Sequence, residues 1–260
     1  MRKDFIAIGV LAMAASVPAS AAVVTFTVEG TDAIFLAGRD DIIIPPADQP
    51  WGPPSGMQRH PGPTPEESQE TKPDFLLVSG GDVVRVLDPA VGGINFFNGL
   101  GPPYFGPDGN GLSGSNLTSF GGISGYIGPQ GPLVGVFLNS TIPLTGAPIT
   151  LDFSPSGLGT DFTSLAPELG QIFYIGNGQT SGGVFQEFTA PTGATRLFLG
   201  IADGFGFVGN PGAYDDNDGA YVVRIGVNEI PTPVDVPAPA ALGLLGVGLA
   251  GLAAARRRSN

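Results

Sequence analysis

Apolar runs of four to six residues, each closed by Gly, Pro, Asn or Asp, set the limits on what this chain can fold into. Val24-Thr-Phe-Thr-Val28 alternates in and out with the period of a strand, and Leu133 to Leu138, Arg196 to Ile201 and Tyr221 to Ile225 repeat the theme. A helix needs ten or more residues of uninterrupted 3.6-residue patterning, and no stretch of the central chain supplies it. Gly (42) and Pro (26) make up about a quarter of the 260 residues, a density that borders on low complexity. Here, however, they punctuate a chain that is 42% hydrophobic, which marks turns between strands.

Further runs at Ala33 to Ala37, Ser124 to Ile127, Ile149 to Phe153, Gln171 to Ile175 and Val184 to Phe188 bring the expected count to ten or eleven strands. Phe75 to Val78 and Val83 to Leu87 flank a Gly80-Gly81-Asp82 turn and read as a hairpin. Each strand has one apolar face to bury, so the expected architecture is all-β: a two-sheet antiparallel sandwich of jelly-roll or galactose-binding-like type. Residues 45–73, the most proline-dense part of the central chain, read as a surface loop inside a single domain spanning 23–228.

One loop carries most of the chemistry. Between the apolar segments ending at Ile201 and beginning at Ala220 lie Asp203, Asn210, Asp215, Asp216, Asn217 and Asp218, interleaved with Gly and Pro. Such residues favour turns for backbone reasons alone. They also form the all-oxygen donor set that Ca2+ takes, six to eight ligands at roughly 2.3–2.6 Å.

Cys is absent and His60 is the only histidine. Thiolate catalysis, Cys-ligated metals and His-rich metal sites are therefore excluded, and a Ser-His-Asp triad would depend on one histidine in a Pro-rich loop. Gly80-Gly81 and Gly204-x-Gly206 precede no helix and are not phosphate cradles. Asp152 with Asp161, or Asp203 with Asp216, are the carboxylate pairs that a glycosidase could use.

Both ends are processing segments. Residues 1–22 carry Arg2-Lys3, an apolar stretch and an Ala19-x-Ala21 cleavage signal, the pattern of a secretory signal peptide with its short helix. After the Pro-rich linker 229–239 come the uncharged residues 240–255 and Arg256-Arg257-Arg258. Those 16 residues approach the length of a spanning helix, which is about 20. The arginines would keep that end cytoplasmic and the bulk of the chain outside. Without these ends the net charge deepens from −12 to about −16, which rules out nucleic acid as a partner.

The tail, residues 236–260, resembles the PEP-CTERM sorting signal of Gram-negative bacteria that make exopolysaccharide. Pro237-Ala238-Pro239 stands in place of the usual Pro-Glu-Pro, ahead of the apolar helix and Arg256, Arg257 and Arg258. The resemblance implies cleavage near Pro239 by an exosortase, passage through the inner membrane, and a mature protein at the cell envelope, cell surface or extracellular matrix.

A second resemblance spans roughly Phe75 to Val227. Leu133-Val-Gly-Val-Phe137, Gly193 to Gly204, and Gly212-Ala-Tyr-Asp-Asp-Asn-Asp-Gly219 look like the galactophilic PA-IL/LecA lectins, as does Tyr104-Phe-Gly-Pro-Asp-Gly109. It implies a Ca2+ held by Asp203, the carbonyl of Ala213, Asp216, Asn217 and a carbonyl near Leu100, with Asp203, Gly204 and Asp216 facing carbohydrate. The family's sugar-contacting His and Gln have no counterpart in Asn110 to Asn116. The expectation is an exported, Ca2+-dependent, polysaccharide-binding protein without catalysis. A matrix protein stiffened by Ca2+ is the alternative, and a glycoside hydrolase the third.

Overall fold

The computed structural model describes residues 21–46, 49–51, 57, 69–97 and 102–231. Its strands are β1 (Ala22–Glu29), β2 (Phe75–Leu77), β3 (Val83–Asn95), β4 (Asn110–Leu117), β5 (Tyr126–Gln130), β6 (Leu133–Leu138), β7 (Ser164–Leu165), β8 (Ile172–Tyr174), β9 (Glu187–Thr189), β10 (Arg196–Ile201), β11 (Val208–Gly209) and β12 (Asp218–Val227). Helical structure among the described residues is limited to three 3-10 turns, Ile34–Leu36, Phe205–Phe207 and Tyr214–Asp216. None of it is long and apolar enough to cross a membrane. The signal helix and the apolar segment 240–255 lie outside the described residues.

The all-β expectation holds, but the strands form three sheets: β1-β12-β3-β9-β7, β2-β10-β6-β8 and β11-β4-β5. Two pairings, β7 with β9 and β11 with β4, are parallel. The proposed hairpin is also corrected. The Ser79–Asp82 turn closes, with the Asp82 amide donating to the Ser79 carbonyl. It nevertheless sends the chain from one sheet to another, since β2 pairs with β10 and β3 with β12 and β9. A short turn fixes a reversal of direction; cross-strand packing decides which strand becomes the neighbour.

β12 is the axis of the five-stranded sheet. Tyr221, Val223 and Ile225 are buried while Val222 and Arg224 face outward, the alternation of a sheet with one covered face. Its partner β3 contains Pro89, which cannot donate to the ladder, and the register shifts there between Arg224–Asp88 and Val222–Val91. β6 is buried at every position and β10 at all but its first. Such strands are covered on both sides, so their sequences read as continuous apolar runs.

Part of that cover is Ile34–Leu36, which is wholly buried and packs on β6 and β10. The run 33–37 is therefore a tight turn, with the Leu36 amide donating to the Ala33 carbonyl, and is not the expected strand. Gly200 permits the close approach: a Cβ there would sit 2.6 Å from the Asp32 carbonyl oxygen. Ile149 to Phe153 also fails to become a strand. It makes one bridge to Ile127, and the Asp152 carboxylate then accepts from the Ser154 amide and turns the chain away. Phe188 of β9 meets Phe173 of β8 at 5.0 Å, so the five- and four-stranded sheets share one core. The described parts of 45–73 are tied to the body rather than standing off it. Met57 is buried in the core, and the Trp51 indole donates to the buried Glu70 at 2.7 Å.

Candidate functional site

β10 ends at Ile201 because Asp203 and Gly204 leave the ladder and begin a loop that returns to β12. Tyr214, fully buried, pins the crossing. Its hydroxyl donates to the Ile201 carbonyl at 2.8 Å and accepts from the Asp203 amide at 3.2 Å, while the Gly212 amide donates to the Asp203 carbonyl at 3.1 Å. The loop is thereby folded onto itself, with its acidic residues turned inward.

Four of those residues are buried: Asp203, Asp215, Asp216 and Asn217. Asp203 Oδ1 accepts from the Gly204 amide at 2.7 Å and Oδ2 from Asn217 Nδ2 at 2.9 Å. The same Nδ2 donates to the Gly30 carbonyl at 2.9 Å, so Asn217 couples the loop to the end of β1. Gly30 makes room for it, since a Cβ there would lie 2.9 Å from the Asn217 Cβ. Burial pushes the Asp203 carboxyl well above the usual carboxylate range, Asp216 and Asp215 add to that rise, and the Asn217 amide opposes it. Acid groups gathered in a low-dielectric place repel one another unless a proton or a cation intervenes.

Asp203, Gly204, Ala213 and Asp216 line one cleft of about 510 Å³. Three of the five expected cation ligands therefore share an opening. Asn217 stands behind Asp203, and Leu100 lies outside the described residues. Asn217 Oδ1 is buried and has no hydrogen-bond partner, an unusual condition for a buried amide oxygen. No group of three His, Cys, Asp or Glu side chains that could hold a metal forms among the described residues. A cation here would draw on amide and main-chain oxygens beside the carboxylates, the mixed oxygen set that Ca2+ accepts. The residues fit such an ion on their chemistry.

Ala213 and Phe207, both lining this cleft, have φ of 58° and 59°. Outside glycine only Asn228 shares that region among the described residues. A left-handed alanine or phenylalanine is costly, and such outliers gather at binding and active sites.

The rest of the lining escaped sequence analysis. Phe96 and Phe97 come from the end of β3, Asn110 from β4, Gln130 from β5, and Phe205 and Phe207 from the loop itself. Phe96 packs edge-on to Phe207 at 6.0 Å, and Asn110 Nδ2 donates to Gln130 Oε1 at 3.3 Å. Asp215, which the lectin resemblance leaves out of the ligand set, is as deeply buried as Asp203. Asn210 remains an exposed turn residue that accepts from Thr118, and Asp218 is half-buried at the start of β12.

Outside this cleft the other candidate carboxylates have partners of their own, and Tyr221 of β12 lies in the core. Tyr221 is buried and its hydroxyl donates to the Gly131 carbonyl at 2.9 Å. Asp152, exposed, is held below the usual carboxylate range by hydrogen bonds from Ser154, and Asp161 accepts from the Ser181 amide and hydroxyl.

Comparison with known proteins adds one finding, at the other end of the chain: residues 235–258 match the PEP-CTERM protein-sorting motif. The class that this defines is an exported protein sorted through an exosortase to the cell envelope or surface of a Gram-negative bacterium. No curated protein and no solved structure matches the chain.

Proposed function

We propose that the mature domain binds carbohydrate, in the setting an exopolysaccharide, through the cleft at Asp203 and with the help of Ca2+, in the manner of the PA-IL/LecA-type lectins. The observation that carries this reading is the composition of one opening. Asp203, Asp216 and the strained Ala213 face a cavity walled by Phe96, Phe97 and Phe207 and edged by the Asn110–Gln130 amide pair. A sugar presents an apolar ring face and a rim of hydroxyls, and the cleft offers a surface of each kind. A bound Ca2+ would accept sugar hydroxyls as ligands. The chain's own residues orient the site: Asn217 fixes Asp203, Tyr214 fixes the loop crossing, and the phenylalanines exclude water from one side.

A second reading has its own support. Asn217 bridges Asp203 to Gly30, so an ion at this point would tie β1, β10 and β12 together and could serve stability alone. Hydrolysis at the Asp152–Asp161 pair finds less support, because Asp152 is held ionised where a general acid needs a raised pKa; the Asp203–Asp216 pair, with Asp203 raised by burial, is the one a hydrolase would use. A glycan array probed with Ca2+-loaded protein, and again with EDTA, separates the readings. Binding that requires Ca2+ and disappears in Asp203→Asn supports recognition. A Ca2+-dependent melting temperature with no glycan bound supports the stabilising role. Release of reducing sugar from a polysaccharide panel would overturn both in favour of hydrolysis.

A further inference from the structure

A larger cleft of about 650 Å³ lies away from the acidic loop, a size within the range of ordinary small-ligand sites. It opens where the β4–β5 ladder breaks. Asn110 pairs with Gln130, but the next pair is Gly114 with Pro129, so residues 111–113 stand off from the sheet. The opposite wall is the 153–160 segment, held to β5 by the Phe153 amide donating to the Ile127 carbonyl at 2.7 Å. Ile127, Pro129 and Pro155 give an apolar side; Ser115, Ser154 and Thr160 bring hydroxyls. No charged side chain lines it among the described residues.

Two buried polar groups beneath these walls lack partners. The Tyr126 hydroxyl, fully buried, forms no hydrogen bond and lies 2.6 Å from where a Cβ on Gly128 would sit, with the Phe153 Cβ 3.0 Å from the same point. Both Gly128 and Phe153 line the cleft. Gln186, buried, donates through Nε2 to the carbonyls of Thr160 (3.0 Å) and Phe162 (2.8 Å), which fixes its amide, yet its Oε1 has no donor. Native interiors leave few such groups unsatisfied. Both atoms are sealed from solvent and neither lines the cleft, so the polar groups a ligand can reach are the hydroxyls of Ser115, Ser154 and Thr160.

We propose that this cleft is a second carbohydrate subsite that takes one neutral pyranose residue without Ca2+, its apolar ring face against Ile127 and Pro129 and its hydroxyls toward Ser115, Ser154 and Thr160. This rests on the glycan-binding reading only for its choice of ligand class. With two subsites on one domain, a polymer engaging both would gain avidity.

Ligand-observed NMR with a panel of free neutral hexoses, and with neutral polysaccharides, carried out in EDTA, tests it. Gly114→Leu places a side chain in open space, the nearest atom being the Gly128 carbonyl oxygen at 3.7 Å from the new Cβ. It should fill the cleft, weaken binding at least tenfold and leave the melting temperature unchanged or higher. Thr160→Val should weaken binding three- to tenfold without unfolding the protein. Absence of hexose binding in EDTA, binding of polymer alone, or binding indifferent to both variants would overturn the proposal. Hexose binding in EDTA that survives Asp203→Asn, with no Ca2+-dependent component, would support this subsite while sinking the Ca2+ reading of the acidic cleft.

Discussion

The two clefts differ in how they keep an interior polar. The one at Asp203 concentrates charge: Asp203, Asp215 and Asp216 are buried within one short loop, and the backbone is held left-handed at Ala213 and Phe207. The one between β4 and the 153–160 segment holds no charge among its described lining residues and relies on glycine, hydroxyls and two unsatisfied neutral groups. A buried carboxylate cluster is a demand for a cation or a proton; a lining of neutral hydroxyls makes the milder demand of a neutral polar ligand. Conditions that alter ions should therefore act on the first cleft and leave the second untouched.

The largest expected effect is that of Ca2+ itself. At a thousandfold excess over its Kd, an ion that binds only the folded state adds about 4 kcal/mol, or roughly 10 °C for a domain of this size. Asp203→Asn should abolish that increment while retaining the Gly204 hydrogen bond. Differential scanning fluorimetry with and without EDTA reads it, and an unchanged melting temperature in Ca2+ would end the distinction between the clefts.

Next comes proton linkage at the same end of the molecule. Burial pushes Asp32 up to about 6, against hydrogen bonds from the Thr71 hydroxyl and the Glu29 amide, with Asp74 and Glu29 adding to the rise. Because the folded state holds this proton more tightly than the unfolded chain, stability is lost as pH rises from about 4 through 6. The loss is at most about 3 kcal/mol for a shift of this size. Urea denaturation should show Asp32→Asn gaining on the wild type by up to that amount between pH 4 and pH 7. A constant offset between the two would mean that Asp32 is not the group responsible.

The contrast also explains what was legible in the sequence. Charge is visible: the cluster from Asp203 to Asp218 stands out in the sequence, and three of the residues expected as ligands, Asp203, Ala213 and Asp216, line one opening. Strand positions were visible where period-two alternation was strong, as in β1 and β12. β4 was missed because Asn-Gly-Leu-Ser-Gly-Ser-Asn-Leu has the composition of a loop, and only its pairing with β5 and β11 makes it a strand. The second cleft was missed with it, since it is built from that strand and from a segment read as apolar run and loop. The hairpin at Gly80-Gly81 failed for a related reason: local turn chemistry says nothing about which sheet receives the next strand. Phe96 and Phe97 lie far from Phe207 in sequence, and only the tertiary path brings them to one wall.

Two buried tyrosines sharpen the comparison at smaller magnitude. The Tyr221 hydroxyl donates to the Gly131 carbonyl, whereas that of Tyr126 has no partner. Tyr221→Phe should cost about 1–2 kcal/mol by stranding a carbonyl, and Tyr126→Phe should be neutral or mildly stabilising. Equal losses in the two variants would show that Tyr126 is satisfied in solution.

The smallest effect tests whether the acidic loop stores strain. Left-handed φ costs an ordinary residue about 1–2 kcal/mol, and glycine's extra chain entropy costs roughly 0.5–1, so Ala213→Gly should gain about 0.5–1 kcal/mol in EDTA. Ala220→Gly, in the regular ladder of β12, serves as the control and should lose a similar amount. If the Ala213 conformation exists to present its carbonyl to an ion, the freer glycine should bind Ca2+ more weakly despite the more stable apo fold. Calorimetric titration of Ca2+ into both variants separates the cases, because strain retained only for chain geometry would leave Ca2+ affinity unchanged.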